Sequence, residues 1–314
     1  MASSRQDGSW PHSAAPADEV TGLAMDRAST LGTDPHPLAS SFRRQGRTAA
    51  CGLALRILAA LAALHGLAGP ALAMAAEQPP SLLLCHEDRD AYPWSMADGS
   101  GLNRQLLARV ERALPVQFRY VALPWRRCLD GVARGLYDGA FAASFNLERT
   151  KGAVYPLTAQ GLPERGKRLH TATYALYRRI GQGPEWDGAA FHRLDGRIGS
   201  LSGFSIVDFL RARGAEVDET SRDPLALLSM VKNRRIEAAA LQVLRADFIL
   251  KAHPELNDDL EKAEIPLEVK DYYLVFSPHF AAQRPQVVRQ IWDSIEDQRE
   301  SLGYQANIKA FMSQ

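Results

Sequence analysis

One arginine stands where ligand chemistry is easiest to place. Ala140 to Ser144 is a run of small and apolar residues, and Asn146-Leu147-Glu148-Arg149 turns out of it. Such a run suits a buried parallel strand. Ligands of open α/β sheets sit at the carboxyl ends of the strands. An arginine just past that end can grip a carboxylate through two parallel charge-assisted bonds. A second group of chemically capable residues lies in the stretch from His86 to Gly101, which holds Glu87, Asp88, Asp90, Tyr92 and Trp94. Glu87 reads as an acid facing a ligand, and Tyr92 and Trp94 as loop aromatics facing one. Arg126 and Arg127 read as solvent-facing. Catalytic signals are thin. Gly199-Ser200-Leu201-Ser202-Gly203 has leucine where a nucleophile elbow needs serine. No histidine pair has zinc spacing, and no glycine loop has the pattern that cradles phosphate. The expectation is a protein without metal or cofactor.

The elements around these residues follow from their periodicity. Ser81–Cys85 predicts a strand, Leu102–Leu114 an amphipathic helix, and Gln117–Leu123 a second strand. Trp125, Cys128, Leu129, Val132 and Leu136 recur at helical spacing, so the helix before Ala140 has an apolar face. This β-α-β-α-β order predicts a parallel sheet with right-handed crossovers. A strand over Thr171–Tyr177 leads out of the first lobe. The second lobe reads as strand Arg197–Leu201, helix Phe204–Arg213, helix Pro224–Lys232, strand Glu237–Leu241 and helix Val243–Ala252. A β-rich run, Val269–Phe276, and a long helix, Pro285–Leu302, close the chain. Val231–Ala239 lines up with Val132–Ala140, each a helix end, a polar break, an acidic residue and a small-residue strand. The alignment suggests two lobes of related architecture.

The chain has 314 residues, with 37 basic and 36 acidic side chains and a net charge of +1. That balance favours neither nucleic acid nor an anionic membrane surface. Residues 1–42 are rich in Ser, Ala, Pro, Gly and Asp and read as a disordered extension. Residues 43–75 have the layout of a signal peptide: Arg43, Arg44 and Arg47, then an apolar core, then an Ala-x-Ala site with cleavage after Ala73 or Ala75. Met25 offers an alternative start. Export to the periplasm is the expectation, leaving about 240 residues, ample for two lobes. Cys51 lies in the export segment. Cys85 and Cys128 remain, either as a disulfide or as two buried thiols.

Several of these stretches together resemble the family 3 periplasmic solute-binding proteins, the polar-amino-acid binding subunits of ABC importers. The resemblance rests on Tyr92-Pro93-Trp94, the PWRRCL and YDGA segments, the downstream Arg149, Asp195-Gly196-Arg197-Ile198-Gly199 and the closing Tyr272–Ser277. It spans roughly Ser81 to Met312. It implies a two-lobed α/β fold of type II, each lobe a mostly parallel sheet flanked by helices. Residues 80–172 plus 272–314 would form the first lobe and residues 173–271 the second. Arg149 matches the arginine that grips a ligand carboxylate, Trp125 an aromatic against the ligand, and Ser144 a small hydroxyl meeting it. Gly203, Phe204 and Ser205 match the turn and helix start of the second lobe, where amides receive a carboxylate. Gln242 stands where the family places an acid for the ligand ammonium. A neutral amide cancels no ammonium charge, which leaves Glu87, Asp88 or Asp90 to supply the acid. The function implied is capture of a small polar solute by a monomer that delivers it to an inner-membrane ABC permease. Ligand sensing without transport, and a periplasmic dehydratase using Glu87 or Asp88 as proton donor, are the alternatives.

Overall fold

The computed structural model describes residues 79–313. The expected N-terminal extension and signal peptide, and Cys51, lie outside the described residues. In chain order the elements are β1 (Ser81–Glu87), α1 (Leu102–Ala113), β2 (Gln117–Leu123), α2 (Trp125–Ala133), β3 (Gly139–Ser144), β4 (His170–Arg179), the short β5 (Glu185–Trp186) and β6 (Phe191–His192), β7 (Ile198–Gly199), α3 (Ile206–Arg211), β8 (Val217–Asp218), α4 (Pro224–Lys232), β9 (Ala238–Gln242), α5 (Val243–Ala252), α6 (Pro254–Asn257), β10 (Leu260–Lys262), β11 (Glu268–Phe276), α7 (Pro278–Gln283), α8 (Pro285–Glu300) and α9 (Leu302–Met312).

β1 begins the first lobe. Its leucines 82 and 84 are fully buried, and it pairs in parallel with β2 from Ser81↔Gln117 to Glu87↔Leu123. β3 joins the other side of β1 in parallel. One face of these strands packs with α1 and α8, through Leu102, Leu106, Leu107 and Val110 and through Val288, Ile291, Trp292 and Ile295. Each fully buried leucine of this kind stabilises by about 1.5–3 kcal/mol. The opposite face packs with α2 through Trp125, Cys128 and Val132. In the second lobe β9 pairs in parallel with β7, which pairs with β8, and β4 lies antiparallel to β9. Leu227, Leu228 and Val231 of α4 cover one face, and Ile206 and Leu210 of α3 the other.

β4 and β11 carry the chain between the lobes. Thr171 pairs with Asp271 and Ala172 with Lys270; further along, Tyr174 to Arg178 pair with β9. β11 pairs with β4 up to Tyr272 and with β3 from Tyr272 to Phe276. The β3–β11 ladder contains a bulge. Ala143 faces Tyr273 and Ala140 faces Val275, so Phe141 and Ala142 together oppose Leu274. Ala142 has φ 62°, a left-handed conformation uncommon outside glycine, asparagine and aspartate.

Several elements depart from the sequence expectation. The helix before Ala140 stops at Ala133, so Leu136 is 60% exposed instead of completing an apolar face. The helix at Phe204 is six residues long and starts at Ile206. The long C-terminal helix ends at Glu300. There Ser301 breaks it and caps α9, its hydroxyl accepting from the amide of Tyr304. The reading of the sequence had no helix after this break.

Cys85 of β1 and Cys128 of α2 are joined by a disulfide, with Cα atoms 5.6 Å apart and a sequence separation of 43. Loop closure of that length is worth about 4 kcal/mol in the chain-entropy account. Accordingly, Cys85→Ser/Cys128→Ser should lower unfolding free energy by about that amount. Urea titrations with and without reductant check this. Coincident curves for oxidised and reduced protein would contradict it.

Candidate functional site

Between the lobes lies a small, largely enclosed cavity of about 30 Å³. Its walls come from both lobes. β1 supplies His86 and Glu87, the loop after it Trp94 and Ser95, α2 Trp125, and the bulged β3 Phe141, Ala142 and Ser144. Arg149 follows β3, His170 opens β4, Tyr272 comes from β11, and Phe204 and Gln242 from the second lobe.

Arg149 is partly buried just past the carboxyl end of β3. Its Nη1 donates to the carbonyl and the hydroxyl of Ser144, each at 3.0 Å, and its Nη2 donates to the carbonyl of Gly203 at 2.7 Å. These bonds use both N–H groups of Nη1 and one of Nη2, and the Tyr155 hydroxyl lies beside the same guanidinium. The bond to Gly203 ties the first lobe to the second. Gly203 has φ +79°, and a Cβ there would meet Cγ of Arg126 at 2.7 Å. Both facts hold the position to glycine.

Three rings stack through the cavity wall. Trp94 lies on His170 with centroids 4.2 Å apart, and His170 lies on Tyr272 at 4.7 Å, both pairs nearly parallel. Nδ1 of His170 donates to Oδ1 of the buried Asn103 at 2.9 Å. Burial holds the His170 imidazole well below the ordinary histidine value, so it is neutral. Gln242 Nε2 donates to the Tyr272 hydroxyl at 2.7 Å, and Tyr272 donates to Tyr174 at 2.9 Å. Burial pushes the Tyr272 phenol up to about 12.

Glu87 meets Arg245 of α5 in a two-pronged pair, Nη1–Oε2 at 3.1 Å and Nη2–Oε1 at 3.2 Å. The Arg245 side chain is only 2% exposed. Burial pushes the Glu87 carboxyl up, and the facing guanidinium holds it back. Further contacts span the lobes. Arg126 Nε donates to the Ser202 hydroxyl at 2.8 Å and its Nη2 pairs with Glu219, Asp88 pairs with Arg222 at 3.3 Å, and Asn146 donates to Asp208.

The residues expected from the sequence therefore divide. Glu87, Trp94, Trp125, Ser144, Arg149, Phe204 and Gln242 line one cavity. Tyr92 does not. Its ring stacks on Phe248 of α5 at 4.3 Å, because both are apolar rings at the lobe edge. Ser205 does not line it either; its hydroxyl bonds that of Ser144 at 2.7 Å. Gly203 contributes its carbonyl to Arg149 rather than an amide to a carboxylate. The amide of Phe204 is bound to the carbonyl of Leu201. Glu87 is held by Arg245 and is not a free acid. Arg126 bridges the lobes instead of facing solvent alone. Sequence reasoning missed Arg245, His170, Phe141 and His86. Arg245 had one available signal: it stands one turn before Ile249 and beside the buried Ala246, an arginine among inward positions of a helix.

No family model matches the chain, and no curated protein is significantly similar to it in sequence. Solved structures are similar in fold. A histidine kinase sensor domain with similarity to periplasmic binding proteins superposes with a TM-score of 0.61 at 12% identity, covering 75% of this chain and 97% of that one. The fold is that of the two-lobed, type II periplasmic binding proteins. The ligand-binding core of GluR0 from Nostoc punctiforme, in complex with L-glutamate, gives 0.58 at 12% identity, covering 74% and 100%. The amino acid ABC transporter substrate-binding protein AbpA from Streptococcus pneumoniae, bound to L-arginine, gives 0.57 at 15%, covering 74% and 94%. These periplasmic binding folds bear out the sequence resemblance at the level of architecture. Among the described residues no helix is long and apolar enough to cross a membrane.

Two outcomes follow from the buried charges and rings. Glu87→Gln leaves Arg245 buried and unanswered and should cost about 3 kcal/mol, whereas Glu87→Gln/Arg245→Met should cost much less. A double-mutant cycle in urea reads the difference; additive costs would refute the coupling. His170 regains the ordinary value of 6.5 when the chain unfolds. Below that pH only the unfolded state takes the proton, so stability is full above 6.5 and falls by about 1.4 kcal/mol per pH unit beneath it. His170→Phe should remove that one-proton slope between pH 6.5 and 5.5, measured by chemical denaturation.

Proposed function

We propose that this protein captures a small carboxylate by closure of its two lobes, as an exported solute-binding protein of the family 3 type. Arg149 carries the reading. Its guanidinium sits at the carboxyl end of β3, lines the cavity and bonds both lobes. A ligand gripped there touches both lobes only when they are together, which favours the closed state. The fold shared with structures solved in complex with glutamate and with arginine supports ligand binding. Residues 43–75 support export to the periplasm by a cleavable signal peptide. On this reading the monomeric closed form docks on an inner-membrane ABC permease.

A second reading is ligand sensing without transport. The structural similarity to a histidine kinase sensor domain favours it, and both readings share the same binding event. Catalysis is the weaker reading. A dehydratase needs a cleft acid to donate a proton, and both oxygens of Glu87 already accept from Arg245.

A ligand that binds only the folded protein raises its melting temperature, so a thermal-shift screen of small carboxylates identifies binders. For a confirmed binder, Arg149→Ala should weaken affinity about 100-fold by calorimetry, the loss of a buried charge-assisted pair. Unchanged affinity would place the ligand elsewhere.

A further inference from the structure

The charges around the cavity define the ligand more narrowly than its fold does. Four groups could supply an anion for a ligand ammonium. Glu87 lines the cavity but both its oxygens face Arg245. Asp88 is paired with Arg222, and Asp90 accepts from the amide of Ala97; neither lines the cavity. At the fourth position the side chain is the neutral Gln242, whose Nε2 already donates to Tyr272. His86 and His170, the cavity's other titratable groups beside Tyr272, are both held below the ordinary histidine value, mainly by burial. Arg149 is then the one cavity-lining charge not cancelled by a carboxylate among the described residues. The site is net positive by one. An ammonium brought here would meet two guanidiniums, Arg149 and Arg245, against one carboxylate. Buried charge without a partner is strongly unfavourable.

The remaining donors suit a different group. Gln242 Nε2 has a second N–H, which can bond a neutral oxygen. The walls beside it are rings: Trp94 over His170 over Tyr272 on one side, with Trp125, Phe141 and Phe204 completing the enclosure. Ring-rich apolar walls of this kind favour an apolar ligand body beside the carboxylate.

Resting on the carboxylate reading above, we infer that the cleft selects an aromatic 2-oxo or 2-hydroxy acid and discriminates against the matching α-amino acid. Arg149 receives the carboxylate, Gln242 the neutral oxygen on the α-carbon, and the rings the aryl group.

Isothermal titration of the full chain with matched probes tests this: phenylpyruvate and 3-phenyllactate against phenylalanine, 4-hydroxyphenylpyruvate against tyrosine, and pyruvate against alanine. The amine-free aromatic acids should bind at least about tenfold more tightly than their amino acids. They should also bind at least about tenfold more tightly than pyruvate. Gln242→Glu, which restores an acid, should shift the ratio toward the amino acid by about tenfold or more. Equal or tighter binding of the amino acids by the unaltered protein overturns the inference while leaving carboxylate capture intact. An unmoved ratio in Gln242→Glu, with its melting temperature preserved, overturns the role of Gln242. Pyruvate binding as tightly as the aryl acids overturns the role of the rings. Silence toward every probe at millimolar concentration overturns both the inference and the carboxylate reading beneath it.

Discussion

A guanidinium removed from water must be answered by a carboxylate, and in this cleft the answer to Arg245 is Glu87. The pair spans the lobes, joining the end of β1 to the start of α5. Its consequence reaches past stability. It removes the cavity's one acidic side chain from ligand recognition and hands the electrostatics to Arg149. The weaker cross-lobe pairs, Arg126 with Glu219 and Arg222 with Asp88, are more exposed and screened by salt. The buried pair is not.

Much of the frame was legible because two-sided burial leaves a plain mark. Small and apolar runs gave β1 and β3, and helical stripes gave α1, α4 and α5 nearly to the residue. Arg149 was legible from its place after β3, and Trp125, Ser144, Phe204 and Gln242 from a resemblance in order and spacing. What stayed hidden depends on partners far apart in the chain. His170 is ordinary in its strand until Trp94 and Tyr272 are laid against it. The bulge at Phe141 and Ala142 exists only because β11 is one residue short opposite them. Arg245 looks like any helix arginine until Glu87, 158 residues away, explains its burial.

The solved structures of this fold agree on frame at 12–15% identity. Identity that low leaves the sheets and crossovers recognisable because many apolar residues satisfy a buried strand. A pocket has no such freedom. Substituting one neutral amide for an acid changes which charged group can enter, and that change is invisible in a superposition of backbones. Fold therefore fixes the frame, while the side chains decide what the pocket can hold.

The disulfide has a consequence outside stability. It fastens the strand that ends in Glu87 to the helix that begins at Trp125, two walls of the same cavity. Where thiols are kept reduced, the helix is held by packing alone and the distance between those walls is free to breathe. The spacing of those two walls is therefore tied to the redox state of the surroundings.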